Sequence, residues 1–365
     1  MKIAILGTRG VPNNHGGFEQ FAEYFSIYLA SKEHEVYVYN SHDHPYQDKI
    51  FKQVNIIHIY DPEYKIGTAG QFVYDFNCIL DSRKRNFDVI LQLGYTSNSI
   101  WYWLLPKKSV IITNMDGMEW KRSKYSKKVR KFLKYAEKLA INSSNYLIAD
   151  SIGIQEYITK TYNKPSEFIA YGAYVFDQPN ERVLLDYKVN KHEYCLIIAR
   201  LEPENNIETI VKGYHNSNVS YPLIIFGTLN EFGEKLQKRY VDDKRIQFVG
   251  ANYNQDDLNN LRYYSRYYFH GHSVGGTNPS LLEAMASNTL IIANDNVFNK
   301  SILGGSDAQY FVISKDIENL LNGDTSFENK EKIALRNKKK IENLYDWNIV
   351  NQAYEEFILS ALKSQ

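Results

Sequence analysis

Short β-branched runs separated by segments of helical period recur along the whole of this 365-residue chain, and they do so in two series. Residues 3–6, 36–39, 54–60, 89–93, 110–114, 146–149 and 168–171 read as strands, with helical stretches such as 18–29 between several of them. A second series follows at 195–199, 223–226, 246–249, 267–270, 290–293 and 309–312. Strands that alternate with helices build parallel sheets covered on both faces, because a parallel pair needs a crossover and the helix is that crossover. The length also exceeds what one hydrophobic core usually organises. Two α/β domains are therefore predicted, joined by the aperiodic stretch 172–191 and followed by tail helices over 330–344 and 348–362.

Charge and cysteine usage remove several classes of function. Forty-three basic and 42 acidic side chains leave a net charge of +1, which gives no global attraction to nucleic acid, and no nucleic-acid partner is expected. Cys78 and Cys195 lie far apart with no metal-ligand spacing, which fits a reducing cytoplasm. The first strand follows Met1 directly and leaves no room for the basic and apolar regions of an export signal. Apolar stretches such as 100–105 fall far short of the ~20 residues that cross a bilayer. A cytoplasmic chain is expected.

Three motifs carry the chemistry. Gly7-Thr8-Arg9-Gly10 ends the first strand, and Gly16-Gly17 opens the next helix, whose free N–H groups suit a diphosphate. The spacing is not G-x-G-x-x-G, and the second strand ends in Asn40 where a dinucleotide fold prefers an acid, so hydride chemistry is disfavoured. In the second series, Arg200 follows a strand and precedes Leu201-Glu202-Pro203-Glu204-Asn205-Asn206; a forked guanidinium at a strand's carboxyl end suits a diphosphate. Finally, the run from His270 to Ala286 passes from a strand through Gly275-Gly276-Thr277-Asn278 into a helix with Pro279 at its start and Glu283 one turn in. Phosphate at the loop and ribose hydroxyls at the Glu283 carboxylate fit that order. His270 and His272 point the same way on a strand, but no third ligand follows and no metal site is predicted.

Together, Arg200-Leu201, Pro203-Glu204-Asn205-Asn206-Ile207, the Asn278 to Ala286 helix and the Gly16-Gly17 loop resemble the retaining GT-B glycosyltransferases of family 4 over nearly the whole chain. Gly7 to Pro12, Gly16 to Glu19, Asp116 to Arg122 and Gly275 to Ala286 resemble, within that family, bacterial rhamnosyltransferases of surface-polysaccharide and capsule assembly. The resemblance implies two Rossmann-like domains whose parallel sheets face a central cleft: an acceptor domain over 1–185, a nucleotide-sugar domain over 186–345, and a helix over 346–365 packing back toward the first. It implies a catalytic set of Asp116, Arg200 and Glu283. Donor contacts fall to Gly16, Gly17, Arg200, Asn205, Gly227, Gly250, Gly275, Gly276, Thr277, Asn278 and Glu283, and acceptor contacts to Asp116, Glu119 and Tyr95. The family's usual diphosphate lysine is replaced by Asn205, and Gly275 stands where the first glutamate of an E-x7-E pair usually lies. A 6-deoxy sugar, L-rhamnose from dTDP-rhamnose, fits those departures; a UDP- or GDP-sugar donor, or a GT-B nucleotide-sugar epimerase or hydrolase, is the alternative.

With no D-x-D in the chain, the leaving diphosphate is expected to be stabilised without metal or cofactor, by Arg200 and backbone N–H groups. If retention holds, the leaving phosphate itself takes the acceptor hydroxyl's proton. Eight basic and no acidic residues between Lys121 and Lys134, interleaved with Tyr125, Val129, Phe132 and Leu133, predict a basic amphipathic helix. With Trp101-Tyr102-Trp103 it points to peripheral contact with the inner face of the membrane and to a lipid-linked saccharide acceptor.

Overall fold

The computed structural model describes residues 1–122, 125–323 and 330–364 and resolves the chain into two compact units. The first comprises Met1–Lys121, Tyr125–Tyr171 and Trp347–Gln365; the second comprises Arg122–Lys124 and Gly172–Asp346. The stretch 172–185, expected with the first domain, thus goes with the second, where it holds a helical turn, Val183–Asp186, with Leu184 buried.

Among the described residues, the first unit is built on an eight-stranded sheet: β1 (Lys2–Leu6), β2 (Glu35–Ser41), β3 (Ile50–Phe51), β4 (Val54–Ile59), β5 (Val89–Leu93), β6 (Val110–Asn114), β7 (Tyr146–Ala149) and β8 (Glu167–Phe168), in the order β3-β4-β2-β1-β5-β6-β7-β8. All neighbours pair in parallel except the short β3 against β4. Every residue of β5 and β6 is buried, as central strands covered on both faces require. Helix Gly17–Ser31 buries Phe21, Phe25 and Leu29, spaced one turn apart. Phe21 meets Tyr354 at 4.6 Å between ring centroids, and Tyr24 stacks on Trp347 at 4.9 Å. Both partners lie on the last helix, Trp347–Lys363, whose Tyr354 hydroxyl also accepts from Asn114 Nδ2 at 2.7 Å. The chain's last helix therefore completes the first unit's core.

The second unit carries β9 (Cys195–Ile198), β10 (Leu223–Phe226), β11 (Ile246–Gly250), β12 (Tyr267–His270), β13 (Leu290–Asn294) and β14 (Gln309–Phe311), all parallel, in the order β11-β10-β9-β12-β13-β14. Its core gathers Cys195, Ile197, Leu223, Ile225, Phe269, Ile292 and Phe311 from the strands against Ile207, Ile210, Tyr214 and Ile317 from helices. In each unit the chain lays strands outward one way and then crosses to the other side of its first strand. The direction of winding reverses between β1 and β5 and again between β9 and β12. Outside the carboxyl ends of such a pair lies the crevice where open α/β sheets hold ligands.

Candidate functional site

In the second unit, the loop after β9 and the loop after β12 are tied together. Asn206, at φ 52°, donates from Nδ2 to the Gly271 carbonyl at 2.8 Å, and Ser273 donates from its backbone N and its Oγ to the Glu204 carbonyl at 3.0 and 2.8 Å. A Cβ at Gly271 would lie 2.0 Å from the Asn205 carbonyl oxygen, so only glycine permits this approach. Asn205 is itself buried, and its Nδ2 donates to the Arg200 carbonyl at 2.8 Å. That bond fixes the backbone beneath Arg200, whose side chain is exposed and forms no ion pair among the described residues. Gly227 abuts the same strand end: its N donates to the Gly250 carbonyl at 2.9 Å, and a Cβ there would meet the Ala199 carbonyl at 2.3 Å.

Past β12, Gly275 has φ 131° with open space about it, Thr277 is buried, and Asn278 caps helix Pro279–Ala286 by accepting from the Ser280 N at 2.9 Å. Glu283, one turn in, is braced from behind: its Oε2 lies 2.5 Å from Arg262 Nη2. Arg262, on helix Gln255–Tyr264, is only 1% exposed, and its Nη1 donates to Asn259 Oδ1 at 3.0 Å. This arginine was missed from sequence. The available signal was a charge on the helix face where the 3–4 spacing of Leu258 and Leu261 calls for an apolar residue. A carboxylate pinned by a buried guanidinium is held in a fixed orientation, which suits the reading of ribose hydroxyls.

The first unit's crevice is differently charged. Gly7 has φ 89°, and a Cβ on it would lie 2.2 Å from the Leu93 carbonyl oxygen. The following loop folds back onto Asn40, which accepts from the Val11 N at 3.0 Å and donates to its carbonyl at 2.8 Å. Arg9 grips Glu63 through Nε (3.1 Å) and Nη2 (2.8 Å), and its backbone N donates to buried Glu19 at 3.0 Å. Gly16 and Gly17 thus open a helix that carries its own carboxylate in the first turn, 3.3 Å from where a Gly16 Cβ would be. Asp75 is fully buried and accepts from Ser97 Oγ at 2.5 Å; burial, with nearby Asp61, pushes its carboxyl up to about 7.

Asp116, Glu119 and Tyr95 are brought together at the carboxyl ends of β5 and β6. Asp116 sits in the left-handed region at φ 48°, with its N donating to Asn114 Oδ1 at 3.0 Å. Tyr95 is buried and its hydroxyl donates to the Gly117 carbonyl at 3.4 Å; burial, with Glu137, Glu119 and Asp116 about it, pushes the phenol well up. Trp120 closes the loop by donating from Nε1 to Glu137 at 2.9 Å. Glu137 also accepts from Lys134 Nζ (2.8 Å), Tyr157 (2.7 Å) and Tyr162 (2.5 Å), while the Lys134 ammonium lies 4.5 Å from the ring centroids of both Trp120 and Tyr157. Lys134, counted in the basic segment, is therefore spent inside the unit. Lys127, Lys128 and Lys131 are exposed on helix Lys127–Ser143, which packs against the turn holding exposed Tyr102 and Trp103. Lys124 of the same segment lies outside the described residues. Among the described residues, no helix is long and apolar enough to cross a membrane.

Residues 1–174 match a family described as a domain of unknown function, DUF1972, and residues 186–344 match glycosyl transferases group 1. The O-antigen chain mannosyltransferase RfbU of Salmonella typhimurium is 26% identical over 180 residues, 48% of this chain and 49% of that protein, so the match spans about half the length of this curated relative. Among solved structures, sucrose-phosphate synthase from Thermosynechococcus elongatus superposes with a TM-score of 0.80 at 13% identity, over 100% of both chains. HepE of Anabaena, solved with UDP and glucose, gives 0.76 at 14% identity over 99% of this chain and 100% of its own. Those likenesses fix the fold. Residues 186–344 are thus similar in sequence to glycosyl transferases group 1, and the chain as a whole has the two-unit α/β fold, GT-B, of those solved structures.

Proposed function

We propose that this chain is a hexosyltransferase that takes a sugar from a nucleotide-sugar donor bound in the second unit's crevice and passes it to a saccharide or lipid-linked acceptor in bacterial surface-polysaccharide synthesis. The observation that carries the reading is the pairing, at one winding reversal, of an exposed Arg200 with a Glu283 braced by buried Arg262. The guanidinium neutralises the leaving diphosphate and the carboxylate holds the ribose; that HepE, of the same fold, was solved with UDP supports this reading. Asp116, held at a positive φ over the Glu137 cluster, and Glu119 receive the acceptor. The reaction is retaining and metal-independent, the leaving phosphate taking the acceptor proton. Rhamnose from dTDP-rhamnose is the donor sugar we favour, on the motif spelling described above; the mannosyltransferase relative makes a mannose donor the second to try. The exposed lysines of helix Lys127–Ser143 beside Tyr102 and Trp103 dock the first unit on anionic lipid.

A thermal-shift panel of dTDP-, UDP- and GDP-sugars without added metal tests the donor. Stabilisation by dTDP-rhamnose alone supports rhamnosyl transfer, and preference for a UDP- or GDP-sugar overturns that sugar while keeping the transferase. Donor consumed at full rate without acceptor points instead to a hydrolase. Arg200→Ala and Glu283→Ala are each expected to lower transfer at least tenfold, about 1.4 kcal/mol or more of transition-state stabilisation, with melting unchanged for Arg200→Ala. Wild-type turnover in both variants removes this site.

A further inference from the structure

His270 ends β12 and His272 follows it, two residues on and on the same side. Their rings stack at 4.5 Å with 14° between the planes, and Tyr268 continues the column at 6.4 Å and 24°. His270 is 1% exposed, and among the described residues neither of its ring nitrogens has a hydrogen-bond partner; Nδ1 of His272 is buried without one there as well. Buried polar atoms are almost always paired, because an unpaired one forfeits its hydration. A leucine at either position would fill the space without that penalty. Three unpaired nitrogens beside a ligand crevice therefore call for a purpose outside the unliganded fold.

The surroundings say what that purpose is. Burial, with the guanidinium groups of Arg200 and Arg122 nearby and Glu202 opposing them, holds the His272 imidazole down to about 3, and burial with His272 alongside holds His270 well below its usual range. Both rings are uncharged at working pH. An uncharged imidazole adds a directed N–H without adding a further positive charge to a place that already has two. With Nδ1 turned into the fold, Nε2 is the nitrogen of His272 left for a ligand.

We propose that His272 donates a hydrogen bond from Nε2 to the diphosphate of the donor nucleotide, beside Arg200, and that His270 is the positioning residue whose stacked ring fixes the plane of that imidazole. This rests on the donor-site reading above. The test is calorimetric titration of UDP, GDP and dTDP, and of the matching monophosphates, into the full chain and its variants, with melting temperatures of the unliganded proteins. The wild type is expected to bind one diphosphate at least tenfold more tightly than its monophosphate. In His272→Leu the diphosphate should weaken tenfold or more while the monophosphate holds, closing that gap. His272→Gln, which keeps an N–H donor, should recover to within about threefold of wild type, and His270→Leu should weaken the diphosphate three- to tenfold. Unliganded melting of both leucine variants should equal or exceed that of wild type. Unchanged diphosphate binding in His272→Leu overturns the proposal and leaves the donor site standing. Equal loss of both nucleotides, or a clear fall in unliganded melting, assigns the histidines a structural role and overturns it too. If the wild type binds none of the three diphosphates at millimolar concentration, the donor-site reading fails and the proposal fails with it.

Discussion

Glu137→Ala is expected to lower the stability of the first unit by about 3 kcal/mol or more, because several donors lose their shared buried acceptor at roughly 1–3 kcal/mol apiece. The carboxylate is 2% exposed and receives hydrogen bonds from Lys134, Trp120, Tyr157 and Tyr162. Alanine leaves four donors facing a cavity and strands the Lys134 ammonium among aromatic rings without its counter-charge. Glu137→Gln keeps an acceptor but not the charge and should fall between the two. Trp101, Trp103, Trp120 and Trp347 are the chain's four tryptophans and all belong to the first unit, so urea unfolding followed by tryptophan fluorescence reads that unit selectively. A midpoint for Glu137→Ala close to that of wild type would show that the cluster contributes little. Because Trp120 tethers the Asp116 loop to this carboxylate, acceptor KM in Glu137→Gln should rise more than donor KM does.

The second large effect has a pH signature. Asp75 titrates near 7 in the fold and near 3.8 in the unfolded chain. Since the folded value is the higher one, the protonated native carboxyl contributes fully below about pH 4. That contribution is lost as pH rises through 7, by roughly 1.36 kcal/mol for each unit of difference, or about 4 kcal/mol in all. Asp75→Asn, neutral at every pH and still an acceptor for Ser97, should therefore match wild type near pH 4 and be more stable by about 3–4 kcal/mol at pH 8. The same tryptophan signal reports it. A constant difference between the two proteins from pH 4 to 8 would mean that the carboxylate is not held protonated.

The strands were legible because their cause is local. β5 and β6 are continuous apolar runs, as a strand buried on both faces must be, and their ends were placed correctly from residue type alone. β3 was not foreseen; it is two residues long and exists only because β4 offers it an edge. Residues 169–171 read as a continued strand, yet β8 stops at Phe168: the Ile169 N still donates to the Ala149 carbonyl at 3.0 Å, and Ile169 to Tyr171 are buried beyond the end of the strand. Within the site, Arg200 and Glu283 stand in motifs whose spacing follows from strand, loop and helix start. Arg262 and Glu137 do not, because each acts through partners that only the tertiary fold brings near. Asn40 shows the same limit: its sequence context argued against a dinucleotide, but its actual work, clasping Val11, depends on a loop folding back across β2.

The closing helix Trp347–Lys363 sets an order of events during synthesis. The ribosome delivers the first sheet, then all of Gly172–Asp346, and only then the helix that covers Phe21 and Phe25. At about 5–20 residues per second, the intervening unit takes on the order of 10–35 s to emerge. Throughout that interval the nascent first unit lacks Trp347 and Tyr354, and its aromatic groove stays open to chaperones and proteases. The unit begun first is thus finished last, and a chain ended just short of residue 347 carries every residue of Gly172–Asp346 but a first unit still without its closing helix.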